Sequence, residues 1–547
     1  MTDFNAGQTP DAPQSHDLPL LAALAEDLDR LNYTVDGVAA LLGAEAYEAL
    51  GRDQLVPALL ATARGPAGGQ PLAAAVRLWL LGRPVAPEDL AAAFPATGVA
   101  GLQALGLVGP QGGLLAALAD LRPYASEDLD LWVASDLGAH QRPGVLRHDH
   151  VLGIGQASLT LAQLTVRAPV ERALDLGTGC GIQIFHLLGH ARHVTATDIS
   201  VRALAFTRFN LLLNAGRLGL DPGRLQDRVS LRLGSLLEPV AGEQFDLVVS
   251  NPPFVITPRS AADTEQFTYR DGGLPGDEIV ARLVAGLPQV LLPGGTAQLL
   301  GNWEIRRDGS GADEPWQQRI EGWLSPDTEA WIIQRERLSP AQYAETWLRD
   351  AAENRDAGHY ERAYAAYLED FASRQVAGIG FGMIWLRRAA GNLAHDGGSP
   401  AGGAGSVFPG GGLLRRFEEI TYPIEQPIGP HLAAAVERHD WLRAHAADFG
   451  QQHLQPAPDV TEERHQRPGA EHPGVILLRQ GAGLRRTSLM SSELAGFVSA
   501  SDGELAVGTL VAALETLIEE PGADFAARLT EQVRNLVADG YLIPAPE

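Results

Sequence analysis

Residues 172–181 have the sequence Arg-Ala-Leu-Asp-Leu-Gly-Thr-Gly-Cys-Gly, an apolar run that passes directly into a glycine-rich turn. The apolar run predicts a buried strand, and the residues that follow the turn predict a helix. Glycine lets a backbone turn tightly and approach a ligand closely. Open α/β sheets bind nucleotides at the carboxyl ends of their strands. We therefore predict a cofactor-binding loop that includes Asp175, Gly177, Thr178, Gly179 and Gly181.

The spacing of these glycines distinguishes between two classes of cofactor. A dinucleotide motif requires G-x-G-x-x-G, and here the third glycine comes one residue early. Asp175 would also repel a pyrophosphate, whereas it tolerates a nucleoside with a positive sulfur. Asp198 ends the next predicted strand, 23 positions after Asp175, where a carboxylate can accept both ribose hydroxyls. We predict S-adenosylmethionine as the cofactor, with Ile199 against the adenine and Ser235 near its amino group.

A second motif follows another buried-strand pattern, at residues 245–250. It consists of Asn251, Pro252, Pro253 and Phe254. The two prolines end the strand and fix the backbone path. The Asn251 side-chain oxygen and the Pro252 carbonyl are predicted to accept the two hydrogens of an NH2 group, while Phe254 stacks on a flat amide or base. We predict that these four residues catalyse transfer by orientation and electrostatics, with Asn251 also touching the cofactor.

The motif Asn-Pro-Pro-Phe, 76 residues beyond Asp175, resembles that of class I methyltransferases that modify base amines or the glutamine amide. Residues 251–258 look most like the HemK-type glutamine N5-methyltransferases, and residues 269–277 are similar to a glycine-rich segment of that family. The resemblance covers about residues 145–305. It implies that the cofactor is held by Asp175, Gly177, Gly179 and Asp198, and the substrate by Asn251, Pro252 and Phe254.

Short apolar strands alternate with helical segments from about residue 130, which predicts an α/β fold with a parallel sheet. We predict a Rossmann-like methyltransferase sheet of seven strands, at 172–176, 193–198, 229–233, 245–250, 296–302, 330–334 and 379–386. The N-terminal domain is predicted to be helical, either a helical bundle or a winged-helix-like unit, and the small C-terminal domain is predicted to be winged-helix-like. The predicted divisions are a disordered tail (1–17), the N-terminal domain (18–125), the methyltransferase domain (130–390), a Gly-rich linker (391–413), an irregular connector (414–473) and the C-terminal domain (474–547).

Composition limits the partners. The formal net charge of −25 argues against broad nucleic-acid binding. Six arginines between 202 and 232 could form a local basic face, although a solvated surface is the simpler interpretation. The single cysteine, Cys180, excludes intrachain disulfides and cysteine-cluster metal sites, and it fits a reducing cytoplasm. We predict no metal and no membrane span. Residues 148–156 are interpreted either as a lid over the site or as the domain junction.

These observations predict an N-methyltransferase acting on a planar amide or amino nitrogen, with a protein glutamine side chain, for example on a translation factor, as the first choice. The alternative is methylation of adenine N6 or guanine N2 in RNA or DNA. The acidic balance favours the protein acceptor, and the two winged-helix-like ends favour the nucleic acid. A regulator that has lost activity is a third hypothesis, which the intact motif at 251–254 disfavours.

Overall fold

The computed structural model describes residues 9, 11–63, 70–138, 141, 147–258, 273–350, 357–390, 412–518 and 522–546. It contains two compact units. Unit 1 comprises Met1–Ala162, Pro169–Leu324 and Arg337–Phe381, and unit 2 comprises Gln163–Ala168, Ser325–Glu336 and Gly382–Glu547. Most of the predicted linker (391–411) and of the predicted tail (1–8 and 10) lies outside the described residues, as does 269–272 of the glycine-rich segment.

The sheet of unit 1 is the α/β Rossmann-like structure that the sequence predicts. Its strands lie side by side in the order Val376–Arg388 (through residue 381 in this unit), Leu291–Arg306, Phe245–Ser250, Val170–Leu176, Ala191–Asp198 and Val229–Leu233. The five strands from Leu291–Arg306 to Val229–Leu233 pair in parallel. The connections include the helices Ile182–Leu187, Val201–Leu213 and Glu278–Gly286.

The strand order reverses beside Val170–Leu176. The chain first builds outward through Ala191–Asp198 and Val229–Leu233, then returns to the other side of the first strand with Phe245–Ser250. Such a reversal opens a crevice at the carboxyl ends of the two strands that flank it. Both predicted motifs follow these two strands, so the topology places them at the same edge of the sheet.

All seven predicted strands are present, and an eighth was not predicted. Arg415–Glu419 pairs in parallel with Thr328–Leu338 in unit 2. Four of its five residues are charged, so no apolar pattern marks it as a strand. The charges are paired: Arg416 contacts Asp539 at 2.5 Å, and Glu418 contacts Arg486 at 2.7 Å.

The region before the sheet contains helices followed by two β-hairpins. The helices are Leu18–Arg30, Val35–Leu42, Ala44–Leu50, Leu55–Ala63, Pro71–Ala75 with a π-helical continuation Val76–Leu80, Pro87–Ala93 and Gly98–Ala104. The hairpins pair Val108–Gln111 with Leu114–Ala117 and Asp120–Ala125 with Asp130–Ser135. The first hairpin has its turn at Gly112 and Gly113. Both residues have a positive φ, as a two-residue hairpin loop requires. Helical structure therefore ends near residue 104, before the predicted boundary at 125.

The prediction of a disordered tail is wrong for residues 11–17. Ala12 and Ser15 are almost fully buried. The Arg202 Nη1 donates to the Asp11 carbonyl at 2.9 Å, and the Arg208 Nη1 donates to the Ser15 carbonyl at 2.6 Å. Arginines of the helix Val201–Leu213 thus fix this segment, which is a long-range pairing that a local polar composition does not reveal.

The predicted irregular connector, 414–473, is also wrong, because most of it is regular structure in unit 2. It contains Arg415–Glu419, the helix Gly429–Ala444 and the strands Leu454–Pro456 and Val460–His465. Val475–Gln480 and Thr487–Met490 complete an antiparallel sheet with Val460–His465. The helices Ser492–Ala500, Val507–Leu517 and Phe525–Asp539 follow, and Leu542–Pro544 pairs with Leu454–Pro456. The strand Val460–His465 has no fully buried residue, so its sequence carries no apolar alternation that would predict a strand. Within the described residues, no helix has the length and hydropathy needed to cross a bilayer.

Two asparagines connect the helix Val201–Leu213 and its end to the strand Asp130–Ser135. The Asn210 Oδ1 accepts from the Ala134 N–H at 2.7 Å, and its Nδ2 donates to the carbonyls of Ala134 and Cys180 at 2.9 Å. Asn214 makes the same pair of contacts with the backbone of Trp132. Each asparagine side chain makes the backbone hydrogen bonds that a neighbouring strand would otherwise make. The buried backbone groups therefore stay hydrogen-bonded. Asn210 also holds the glycine-rich turn through Cys180.

We expect Asn210→Ala to lower the free energy of unfolding by about 2–4 kcal/mol, because it leaves three buried backbone groups without partners. Urea unfolding followed by circular dichroism measures the change. Gln103→Ala, at an exposed helical position, is the control and should have little effect. Equal unfolding curves for Asn210→Ala and the parent would contradict this account of the contact.

Candidate active site

A cavity of about 490 Å³ lies in unit 1 where the strand order reverses. Its lining comes from the loops that follow four strands and from two segments outside them. Among the lining residues are Gly177, Thr178, Gly179, Asp198, Ile199, Ser235, Asn251, Pro252 and Pro253. Nine of the predicted site residues are therefore brought together. Asp175, Gly181 and Phe254 are not among the lining residues.

The glycine-rich turn borders open space. Gly177 and Gly179 have φ values of +79° and +58°, and an added Cβ at either would meet no atom within 4 Å. The N–H groups of Gly177 and Thr178 donate to the Thr197 carbonyl at 2.9 and 3.0 Å, which fixes the start of the turn. A ligand can therefore approach this backbone closely.

Gly181 has a different role from the one predicted. It precedes the helix Ile182–Leu187 with φ +92°, and a Cβ there would lie 3.2 Å from Thr207 Cγ2. Only glycine combines this backbone conformation with such close packing. Gly181 thus holds the helix against its neighbour instead of lining the cavity.

Asp198 joins the turn to the next strand. Its Oδ2 accepts from the Gly179 N–H at 3.0 Å and its Oδ1 accepts from the Ser200 N–H at 2.8 Å. Burial raises the pKa of Asp198, and the backbone N–H donors oppose that rise. Each carboxylate oxygen has a further lone pair and Asp198 lines the cavity, so two hydroxyls could still donate to it. The exposed Ile199 side chain, 57% accessible, extends the apolar wall beside it.

Asp175 lies beneath the turn and not on the cavity wall, which corrects the prediction of a direct contact. It is 1% exposed, and its Oδ2 accepts from the Thr178 hydroxyl at 2.7 Å. Its Oδ1 has no hydrogen-bond partner in the described part of the chain. Burial raises its pKa to about 7. Asp175 therefore supports the turn through Thr178, which does line the cavity.

The segment 251–254 carries a buried side-chain oxygen that has no hydrogen-bond partner among the described residues. The side-chain Oδ1 of Asn251, a residue that lines the cavity, is buried and finds no partner among the described residues. The Phe254 N–H donates to the Pro252 carbonyl at 2.8 Å, closing a tight turn. One lone pair of that carbonyl is therefore already used, which the sequence interpretation did not anticipate. Phe254 is half-buried away from the cavity lining, so the predicted stacking role is not supported.

Residues 149–153, 155 and 157–158 line the cavity, as the predicted lid requires. Asp136 holds this segment, because its Oδ2 accepts from the Val151 N–H at 2.8 Å. Arg202 pairs with the same carboxylate at 2.6 Å, and the buried His150 lies 3.8 Å from it. The segment is thus fixed through the Val151 backbone to a carboxylate that Arg202 already pairs with.

The helix Glu278–Gly286 contributes wall residues that the sequence analysis missed. Ile279, Arg282 and Leu283 line the cavity, and Gly273 and Leu274 precede them. The spacing of Ile279 and Leu283 is that of one helix face, and this pattern could have indicated the wall. Arg282 pairs with Glu278 at 2.6 Å.

The described residues contain one group of potential metal ligands, formed by Glu329, His439 and Asp440 in unit 2. Arg387 and Arg443 already pair with both carboxylates of this group. The absence of a metal cofactor stays a prediction.

Two family models match the chain. Residues 136–304 match the model described as "Methyltransferase small domain", and residues 30–118 match "Domain of unknown function (DUF7059)". The first match covers the cavity, the glycine-rich turn and the segment 251–254. The central part of the chain is therefore a class I methyltransferase domain.

Individual relatives show which methyltransferases this domain is similar to. It is similar to the ribosomal protein uL3 glutamine methyltransferase of Bradyrhizobium diazoefficiens, with 33% identity over 34% of this chain and 55% of the relative. The release factor glutamine methyltransferase of Bordetella pertussis is 36% identical over 24% of this chain and 48% of the relative. The ribosomal RNA small subunit methyltransferase C of Alcanivorax borkumensis is 30% identical over 34% of this chain and 50% of the relative. The chain spans about half the length of these relatives, and the predicted HemK-type resemblance is confirmed.

We expect Asp198→Ala to weaken S-adenosylmethionine binding about 100-fold. The substitution removes the carboxylate that would accept the two ribose hydroxyls and that holds the Gly179 N–H. Isothermal titration calorimetry measures the affinity. Glu171→Ala, which removes an exposed carboxylate paired with Arg192, is the matched control and should bind as the parent does. Parental affinity in Asp198→Ala would contradict the assignment.

The raised pKa of Asp175 predicts that the folding stability of the protein depends on pH. Since its pKa in the folded protein is raised to about 7, proton binding favours folding. This contribution is complete below about pH 4 and is lost as the pH rises through about 7. Asp175→Asn cannot ionise, so its apparent melting temperature should rise relative to the parent by a few degrees between pH 5 and 8. Thermal scans across this range measure the difference, and a difference independent of pH would refute the assignment.

Proposed function

We propose that the chain is an S-adenosylmethionine-dependent N-methyltransferase whose acceptor is a glutamine side chain of a protein. The observation that carries the proposal is the buried Oδ1 of Asn251, which has no hydrogen-bond partner among the described residues. A buried polar atom without a partner costs about 1–3 kcal/mol, so its retention at a cavity wall indicates that a ligand supplies the missing donor. The NH2 group of an amide is such a donor.

The cavity fits the cofactor. Its volume of about 490 Å³ lies within the usual range for small-molecule sites, about 300–1,000 Å³. Gly177 and Gly179 would carry the close backbone approach, Asp198 would accept the ribose hydroxyls, and Ile199 would cover the adenine, with Ser235 near its amino group. When bound, S-adenosylmethionine supplies a sulfonium methyl group as the electrophile.

Asn251 and Pro252 would orient the acceptor. The Asn251 Oδ1 accepts one amide hydrogen, and the remaining lone pair of the Pro252 carbonyl accepts the other. These two contacts fix the direction of the nitrogen lone pair, so the contribution to rate comes from orientation. Pro253 limits the backbone freedom of the segment and keeps the two acceptors in place.

Charge pairing within the protein supports a protein acceptor over a nucleic acid. The arginines that could have formed a basic face make contacts inside the molecule. Arg202 pairs with Asp136, Arg217 with Asp29 and Asp130, Arg224 with Asp227, and Arg232 with Glu243, while Arg208 and Arg228 donate to backbone carbonyls. Such pairs reduce the positive charge available to neutralise phosphates.

The alternative acceptor is a base amine in RNA or DNA. Its support is the similarity to a ribosomal RNA methyltransferase and the order of elements at the two ends of the chain. Helix Pro71–Leu80, a bridge at Val85, two helices and a hairpin follow the order of a winged helix. The segment from Ser492 to Pro544 repeats helix, bridge at Ala506, two helices and strand. Gly98–Ala104, the last helix of the first module, has no charged residue, which favours a protein-contacting or structural role.

We propose a cytoplasmic location, which is supported by a chain whose one cysteine, Cys180, is buried and forms no disulfide.

Labelled methyl transfer tests the acceptor. The purified chain, S-adenosylmethionine with a labelled methyl group and a ribosome-containing cell extract should yield label in protein. Acid hydrolysis of the labelled protein should release methylamine, as an N-methylated side-chain amide requires. Label that disappears on nuclease treatment would overturn the protein acceptor and support the alternative.

We expect Asn251→Ala to lower kcat at least about 100-fold, because the oriented acceptor contact is lost, and to change cofactor affinity less. Asn535→Ala is the matched control. Its Oδ1 is likewise buried without a partner, but Asn535 lies on the helix Phe525–Asp539, none of whose residues is among those lining the cavity. Full activity in Asn251→Ala would show that the catalytic assignment is wrong.

A further inference from the structure

Two helices, Pro340–Asp350 and Ala357–Ser373, lie in the chain between the strands Thr328–Leu338 and Val376–Arg388. Their buried side chains form an apolar cluster with Ile256, which comes five residues after Asn251. Tyr343 is at the centre of this cluster and fully buried. Its ring lies edge-on to Phe371 at 5.4 Å and stacks with Phe381 at 5.7 Å. The helical pair therefore packs directly against the chain that leaves the catalytic segment.

The Tyr343 hydroxyl is a hydrogen-bond acceptor for that segment. The Ile256 N–H donates to it at 2.8 Å, and the Asn302 Nδ2 donates to it at 3.2 Å. A phenolic oxygen can accept from two donors. Asn302 is fully buried on the strand Leu291–Arg306, so the hydroxyl is held both by its ring packing and by the sheet.

The segment 251–256 is thus fixed at both of its ends. At its start, the strand Phe245–Ser250 pairs with both neighbours, and the Ser250 hydroxyl donates to the Leu176 carbonyl at 2.8 Å. At its end, the Ile256 amide is held by Tyr343. Two prolines and the Phe254–Pro252 hydrogen bond restrict the residues in between.

We infer that Tyr343 is a positioning residue for methyl transfer: it fixes the far end of the segment that presents Asn251 and the Pro252 carbonyl to the acceptor. This inference rests on the proposed function. It also accounts for the packing of the two helices, with their aromatic side chains, against Ile256. Small displacements of reacting groups have large effects on rate, so loss of the hydroxyl should affect turnover more than binding.

Tyr343→Phe tests the inference, because it removes the hydroxyl and keeps the ring in its cluster. We expect kcat to fall about tenfold or more, with the cofactor affinity unchanged. The Ile256 amide should also exchange with deuterium about tenfold faster or more, since its hydrogen bond is lost. Tyr364→Phe is the matched control: it removes a hydroxyl contact to Glu345 in the same helical pair, and it should change neither quantity. Thermal scans identify any general loss of structure.

Hydrogen exchange separates this inference from the proposed function, because it needs no acceptor. Unchanged exchange at Ile256 in Tyr343→Phe would overturn the inference. Faster exchange with parental kcat would overturn it as well, since the contact would then have no positioning effect. If the parent methylates no protein glutamine, the proposed function fails, and turnover on the acceptor actually found decides whether Tyr343 positions the segment.

Discussion

The parallel pairing of Val170–Leu176 with Phe245–Ser250 is the constraint on which the site depends. It sets Leu176 beside Ser250, and the Ser250 hydroxyl donates to the Leu176 carbonyl at 2.8 Å. The next residues of the two strands are Gly177 and Asn251, so the glycine-rich turn and the segment 251–254 leave the sheet at the same edge. Seventy-four residues separate Leu176 from Ser250 in sequence, and only the reversal of strand order brings them together.

Around this pairing, polar contacts of long sequence range define the positions of the loops. Asp198 holds Gly179, Asp136 holds Val151, and Asn210 holds the Cys180 carbonyl. Each of these side chains satisfies a backbone group of a segment that lines the cavity. The cavity is thus preorganised by the protein itself, whereas the Asn251 Oδ1 at its wall has no hydrogen-bond partner among the described residues.

The sequence predicted the sheet well because its strands are apolar runs that end at glycine, aspartate or proline. It also located nine of the lining residues, since both motifs follow strands whose carboxyl ends share one edge. It could not separate residues that line the cavity from those that support it. Asp175 and Gly181 belong to the correct loop, but burial beneath Thr178 and contact with Thr207 are three-dimensional facts. Arg415–Glu419 escaped prediction because its charges are paired at a distance, and Tyr343 because nothing local connects it to Ile256.

We propose above all that the Asn251 Oδ1, which has no hydrogen-bond partner in the described part of the chain, orients an acceptor NH2 group toward the methyl donor. A crystal structure with S-adenosylhomocysteine and a glutamine-containing peptide of the labelled protein tests it most directly. The account predicts the cofactor product between the glycine-rich turn and Asp198, with the Asn251 Oδ1 at about 2.9 Å from the glutamine nitrogen. A complex in which that oxygen is bonded to a protein donor, with the glutamine elsewhere, would contradict it.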